Sequence, residues 1–134
     1  MISSKISIEY SVVVPVYNEG GNIKKLDKEI KEAMGKLSGN YEIIYINDGS
    51  TDNTLKELNK LKDIIIVNLN RNYGQSIALD AGFKTAQGEI IISLDGDGQN
   101  DPADIPRLLE KLEKDNLDVV AGWRKNREDK RGIR

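Results

Sequence analysis

Residues 41–69 read YEIIYINDGSTDNTLKELNKLKDIIIVNL. Tyr41–Ile46 predicts a strand, and Asn47-Asp48-Gly49-Ser50 ends it. Leu55, Leu58 and Leu61 then recur at helical spacing behind Ser50, Thr51 and Asp52, any of which can cap a helix. Ile64–Leu69 returns to an apolar run. It predicts the next strand, with Ile64-Ile65-Ile66-Val67 fitting burial on both faces. A strand, a helix and a second strand make a βαβ unit, which implies parallel pairing.

The same alternation continues in both directions. Upstream, Tyr10–Val16 predicts a strand, and Ile23, Leu26, Ile30, Met34 and Leu37 mark one face of a helix closing near Gly39. Downstream, Gln75–Ala86 predicts a helix with a small inner face of Ala78, Ala81 and Gly82, with Ile77 beside them. Glu89–Leu94 predicts a fourth strand. Asp101-Pro102 reads as an N-cap and first-turn proline of a helix with Leu108, Leu109 and Leu112 inward, and Asp118–Ala121 predicts a fifth strand. The fold class is therefore α/β, a mainly parallel sheet with helices on both faces, in one domain spanning residues 1–134.

Composition limits the chemistry. The chain has 134 residues, no cysteine and no histidine. Disulfides, thiol nucleophiles, Ser-His-Asp catalysis and imidazole metal sites are excluded. Any metal must sit on oxygen ligands, which suits magnesium, manganese or calcium. From Arg124 to Arg134 there are six Lys/Arg against two acids, in a chain of net charge −2. That basic end is either a solvated terminus or a meeting point for phosphate or a membrane surface. No stretch approaches the roughly 18 apolar residues that span a bilayer. Met1 to Glu9 lacks the apolar core of a signal peptide, so a soluble, cytoplasmic chain is expected.

Ligands of open α/β sheets bind beyond the carboxyl ends of the strands. Those ends carry Pro15-Val16-Tyr17-Asn18-Glu19, Asn47-Asp48-Gly49-Ser50, Asn70-Arg71-Asn72-Tyr73-Gly74, Asp95-Gly96-Asp97-Gly98-Gln99 and Gly122-Trp123-Arg124. Asp95 and Asp97 flank a glycine, and such a carboxylate pair repels unless a cation joins it. Gln99 can add a carbonyl oxygen or steady a water. An Asp/Gly turn alone has a plainer explanation in backbone preference, and it is the company of the other loops that favours a metal site. Asp48 can turn the chain and cap the next helix, or meet a base or ribose. Tyr17 offers a ring for stacking, and Glu19 is either a site residue or a first-turn acid. Arg71 and Arg124 are surface arginines or phosphate clamps, the clamp being favoured for Arg124, which follows Gly122-Trp123. Gly74, Ala78 and Gly82 at four-residue spacing suggest close helix packing. A receiver-type domain does not fit the residues ending the first and third strands. A dinucleotide-binding domain lacks its glycine-rich turn after the first strand.

Together Val14-Pro15-Val16-Tyr17-Asn18-Glu19, Asn47 to Asp52, Asn72-Tyr73-Gly74 with Ala78 and Gly82, and Leu94 to Gln99 resemble the family 2 glycosyltransferases of the GT-A fold. Asp101-Pro102 and Gly122-Trp123-Arg124-Lys125 lean towards the dolichyl-phosphate mannose synthase and polyprenyl-phosphate sugar transferase branch. The resemblance runs from about Tyr10 to Arg131. It implies a Rossmann-like GT-A domain with a UDP- or GDP-sugar donor held by Pro15, Tyr17, Glu19, Asp48, Asp95, Gly96, Asp97 and Arg124. It implies Mg2+ or Mn2+ on Asp95, Asp97 and Gln99, and inverting transfer to a polyprenyl phosphate or another glycan acceptor. A sugar hydroxyl acceptor and a binding module without transfer are the alternatives. Nucleic acid is not an expected partner. Asn47 stands where many relatives carry an acid. Relatives also run on for about another hundred residues with acceptor contacts and often membrane helices. The resemblance therefore implies a domain truncated at its C-terminus, any general base lying outside this chain. The longer enzyme is expected at the cytoplasmic face of the membrane, held there by those missing segments.

Overall fold

The computed structural model describes residues 7–94 and 101–114. Four strands, β1 (Tyr10–Val16), β2 (Tyr41–Asp48), β3 (Ile65–Leu69) and β4 (Ile90–Ser93), form one sheet in the order β3-β2-β1-β4, all pairs parallel. Between them run α1 (Ile23–Met34), α2 (Thr54–Leu58) and α3 (Gln75–Thr85). A 3-10 turn, Pro102–Asp104, leads into α4 (Ile105–Lys114). The first crossovers step outward from β1 to β3, and the third returns across the sheet to β4. The order therefore reverses between β1 and β4, and such a reversal is where ligands of open α/β sheets bind, beyond the carboxyl ends.

Strand parity sorts the core into two layers. Val12, Val14, Val16, Ile43, Tyr45 and Ile92 face one side and pack with Ile23, Leu26, Ile30 and Met34 of α1, Leu58 of α2, and Ile105, Leu109 and Leu112 of α4. Val13, Ile44 and Ile46 face the other side, where Ala78 of α3 covers them. Gly82 lets α3 approach the sheet: a Cβ there would lie 2.4 Å from Val13 Cγ1 and 2.7 Å from Ile46 Cδ1. In the first layer the buried Tyr45 hydroxyl donates to Asp27 Oδ1 at 2.7 Å, and Lys31 Nζ pairs with Asp27 Oδ2 at 2.8 Å. Burial, with the Asp27 carboxylate beside it, pushes the Tyr45 hydroxyl far above the ordinary tyrosine range.

Pro15 explains where β4 lets go of β1. Leu94 N donates to Val13 O at 3.0 Å. The next bond of that parallel ladder would run from the N–H of residue 15 to the Leu94 carbonyl, and proline has no N–H. Among the described residues, pairing of β1 with β4 runs to Val13 and Ser93, whereas pairing with β2 continues to Val16 and Asn47.

Several expectations need correction. β3 is an edge strand with Ile65 38% exposed, so Ile64–Val67 is not buried on both faces. An apolar run alone does not distinguish an edge strand from a central one. Leu37 and Leu61 lie beyond the ends of α1 and α2, though both pack against the first core layer. Ile77 is 50% exposed, because the four-residue step from Ala78 to Gly82 sets the buried stripe of α3. Gly74 sits at φ 100 with open space around it, so its role is backbone conformation rather than close packing. Asp101 does cap, its side chain accepting from Ala103 N at 3.0 Å, but it opens the 3-10 turn that precedes α4. The expected fifth strand, Asp118–Ala121, lies outside the described residues.

Candidate functional site

Because all four strands run parallel, the loops after β1, β2 and β3 emerge along one edge, and side chains lash each loop to the next. Asn18 joins the first two. It adopts φ 52, a conformation that asparagine tolerates better than most residues. Its Oδ1 accepts from Thr51 N at 2.7 Å and Asp52 N at 3.2 Å, and its own N–H donates to Ser50 Oγ at 2.9 Å. Glu19 N donates to Thr54 Oγ1 at 2.9 Å, and Gly20 N to Asp52 Oδ2 at 3.2 Å. Asp52 Oδ1 accepts from Thr54 N at 2.9 Å and from the Thr54 hydroxyl. These bonds, Thr54's foremost, hold the Asp52 carboxyl below its ordinary pKa. The capping expected of Ser50, Thr51 or Asp52 needs correction: the N-cap position of α2 is Asn53, which makes no side-chain capping bond, and Asp52 instead accepts from the backbone two residues on.

Asp48 joins the second and third loops. Its carboxylate is 4% exposed. Oδ1 accepts from Tyr73 N at 2.8 Å, and Oδ2 accepts from Gly74 N at 3.0 Å and Asn72 Nδ2 at 2.9 Å. Asn72 Nδ2 also donates to the Asp48 carbonyl at 3.2 Å. Gly74 is the N-cap residue of α3, so the charge lies at the positive end of that helix. Among the described residues no Lys or Arg forms an ion pair with Asp48. Its oxygens take three bonds of the roughly four a carboxylate can accept. Gly49, at φ 72, permits the contact between the loops, since a Cβ there would lie 2.2 Å from Arg71 C. Asn47, buried beside Asp48, donates from Nδ2 to Asn68 Oδ1 at 3.0 Å and accepts from Ser50 N at 3.2 Å. Its amide does both, where an acid could only accept.

Of the residues singled out in the sequence, the structure brings Pro15, Tyr17, Glu19 and Asp48 to this edge. Pro15 is buried, Tyr17 is 44% exposed, and half-buried Glu19 accepts at Oε1 from Asn22 Nδ2 at 2.9 Å. Asp95, Gly96, Asp97, Gln99 and Arg124 lie outside the described residues. Among the described residues no group of three or more acids is placed to hold a metal. No helix among them is long and apolar enough to cross a membrane. Asn18, Asn72 and Thr54 organise the edge, yet the sequence showed the two asparagines only as members of longer motifs and gave no signal for Thr54, the first residue of α2. The one available hint was that asparagine suits the left-handed conformation Asn18 adopts.

Comparison with known proteins agrees with this architecture. The sequence matches the glycosyl transferase family 2 profile over residues 11–134. It is 44% identical over 128 residues to the dodecaprenyl-phosphate galacturonate synthase of Rhizobium johnstonii, an alignment covering 92% of this chain and 38% of that protein. It is 44% identical over 124 residues to the undecaprenyl-phosphate 4-deoxy-4-formamido-L-arabinose transferase of Aeromonas hydrophila, covering 89% of this chain and 38% of that one. The chain thus spans well under half the length of these relatives. Among solved structures, a mannosyltransferase from Pyrobaculum calidifontis, in complex with GDP-Man and Mn2+, superposes with a TM-score of 0.67 at 24% identity. That match covers 79% of this chain and 32% of that one. Glucosyl-3-phosphoglycerate synthase from Mycobacterium tuberculosis, in complex with UDP, gives 0.64 at 24% identity over 78% of this chain and 40% of that one. At such identities the likeness speaks for the fold, the parallel α/β sheet of the GT-A glycosyltransferases. By the extent of the family match, this chain belongs to glycosyl transferase family 2.

Proposed function

We propose that this chain forms the donor site of a glycosyltransferase that takes a UDP- or GDP-sugar with Mg2+ or Mn2+ and passes the sugar, with inversion, to a polyprenyl phosphate. The observation that carries the reading is the lashed carboxyl edge, where Asn18 and Asp48 tie together the three loops that follow β1, β2 and β3. In sequence, β4 and Leu94 continue directly into Asp95-Gly96-Asp97. The acceptor class follows the printed names of the relatives from Rhizobium and Aeromonas, both polyprenyl-phosphate enzymes. The metal and the nucleotide follow solved neighbours that hold GDP-Man with Mn2+ or UDP.

The donor set fits such a cation, since a chain without histidine or cysteine offers oxygen ligands and hard divalent ions prefer them. Asp95, Asp97 and Gln99 would hold it. When bound, it supplies charge neutralisation for the departing diphosphate. The other assignments concern binding. Tyr17 offers an exposed ring to the base, and Pro15, Glu19 and Asp48 border the nucleoside. Gly96 gives the backbone close approach to the donor, and Arg124 meets the phosphates. The acceptor's phosphate oxygen attacks the anomeric carbon as the bond from that carbon to the diphosphate breaks, a single displacement that inverts configuration. An acceptor already anionic needs no general base. Such an acceptor resides in a membrane, so the enzyme works at the cytoplasmic face, with membrane attachment supplied by segments other than those described.

Calorimetric titration of the chain with UDP and with GDP, in manganese and in chelator, tests the reading. Binding of one nucleotide that requires the metal is expected. Equal binding in chelator would remove the metal from the proposal, and no binding of either nucleotide by the folded chain would remove the donor site. Asp97→Asn is expected to abolish metal-dependent binding while circular dichroism reports an unchanged fold.

A further inference from the structure

Tyr73 is held still without being buried. The residue is 38% exposed. Three separate contacts nevertheless fix it. The backbone N–H donates to Asp48 Oδ1 at 2.8 Å, the hydroxyl donates to Asn70 Oδ1 at 2.7 Å, and the Arg71 guanidinium lies over the ring, 4.9 Å from its centroid. Ordering an exposed side chain costs rotamer entropy, and the usual compensation, removing apolar area from water, is only partly collected here. An aromatic face kept both ordered and wet is suited to receive a flat partner. The position narrows the partner. Tyr73 belongs to the loop lashed to β2 on one side by Asp48, as the loop of the exposed Tyr17 is lashed to β2 on the other by Asn18. Two exposed tyrosines thus flank the end of β2.

We infer that Tyr73, backed by Arg71, is a base-recognising residue, its ring stacking on the nucleobase of the donor. The inference rests on the donor-site reading above and adds a contact to it. Stacking is tolerant of base identity, because every base has a π-face, so Tyr73 contributes affinity for uracil and guanine alike. Asp48 then acts partly through Tyr73, by fixing the backbone that carries the ring.

The experiment is titration of the full chain, in manganese, with UDP, GDP and the corresponding monophosphates. Wild type is compared with Tyr73→Leu, Tyr73→Phe and Tyr73→Trp. Tyr73→Leu is expected to weaken binding about tenfold. Tyr73→Trp, which keeps an aromatic face, is expected to retain wild-type affinity or exceed it, with Tyr73→Phe falling between. Stacking acts on the base, so the loss is the same for the diphosphate and the monophosphate of one base, while thermal midpoints stay at the wild-type value. A Tyr73→Leu variant that binds as wild type does overturns the inference and leaves the donor site standing. So does a loss confined to the diphosphates, which would assign Tyr73 to the phosphate end. If the wild-type chain binds no nucleotide, the donor-site reading fails and this inference fails with it.

Discussion

The two ends of the sheet are both tied by side chains, yet they are tied differently. At the amino end, buried Ser11 donates from Oγ to Glu42 Oε2 at 2.6 Å and accepts from Gly88 N at 2.8 Å, while Gln87 N donates to the same Glu42 oxygen at 2.7 Å. That ring fastens the chain entering β4 to the start of β1 and β2. At the carboxyl end, Asn18, Asp48 and Asp52 perform the same kind of fastening, but beside two exposed tyrosines and an acid without a cation partner among the described residues. The amino end spends its polar groups on holding the fold. The carboxyl end uses polar groups to hold open a surface that does not bury itself.

Three substitutions or conditions would sharpen or break that contrast. The largest effect is expected from Asp48→Ala, which leaves Tyr73 N and Gly74 N without their acceptor. Stability should fall by about 2–3 kcal/mol in urea unfolding, and nucleotide binding should become undetectable by calorimetry. Next is Glu42→Ala at the opposite end. It removes the acceptor for Ser11 and Gln87 and should lower stability by about 1–2 kcal/mol. Its nucleotide affinity should equal that of wild type. A matching loss of affinity in this variant would erase the distinction between the ends. The smallest effect concerns Asp52. Its folded pKa is depressed, so its contribution is present above the ordinary aspartate pKa and is lost as pH falls below that value. Asp52→Asn should therefore flatten the acid limb of stability against pH, through a small loss at neutral pH that vanishes where Asp52 is already protonated. An unchanged acid limb would deny Asp52 its part in the lashing.

The sequence disclosed the alternation of elements because burial forces it. Tyr10–Val16 is apolar except for Ser11 and came out with its observed bounds, since a strand buried on both faces has little polar character to blur its ends. The order of strands was not legible, because nothing in Ile64–Leu69 says whether a neighbour lies on one side or two. The exposure of Ile65 followed from that gap. In the candidate site, Asp48 was visible as a polar residue at a strand end, but its partners were not. Tyr73 N and Gly74 N are backbone groups 25 and 26 residues away, and a backbone donor leaves no mark in sequence. Asn18 was hidden for a related reason. Its importance lies in a left-handed φ and in two backbone amides of another loop, neither of which depends on the identity of its neighbours.

The missing N–H of Pro15 works as a length gauge. A parallel zipper closes one donor at a time, and β4 can advance along β1 only as far as β1 offers donors. Position 15 offers none, so the Leu94 carbonyl finds no donor on β1 there. The point of release is written into β1, remote in sequence from the acidic segment that follows it.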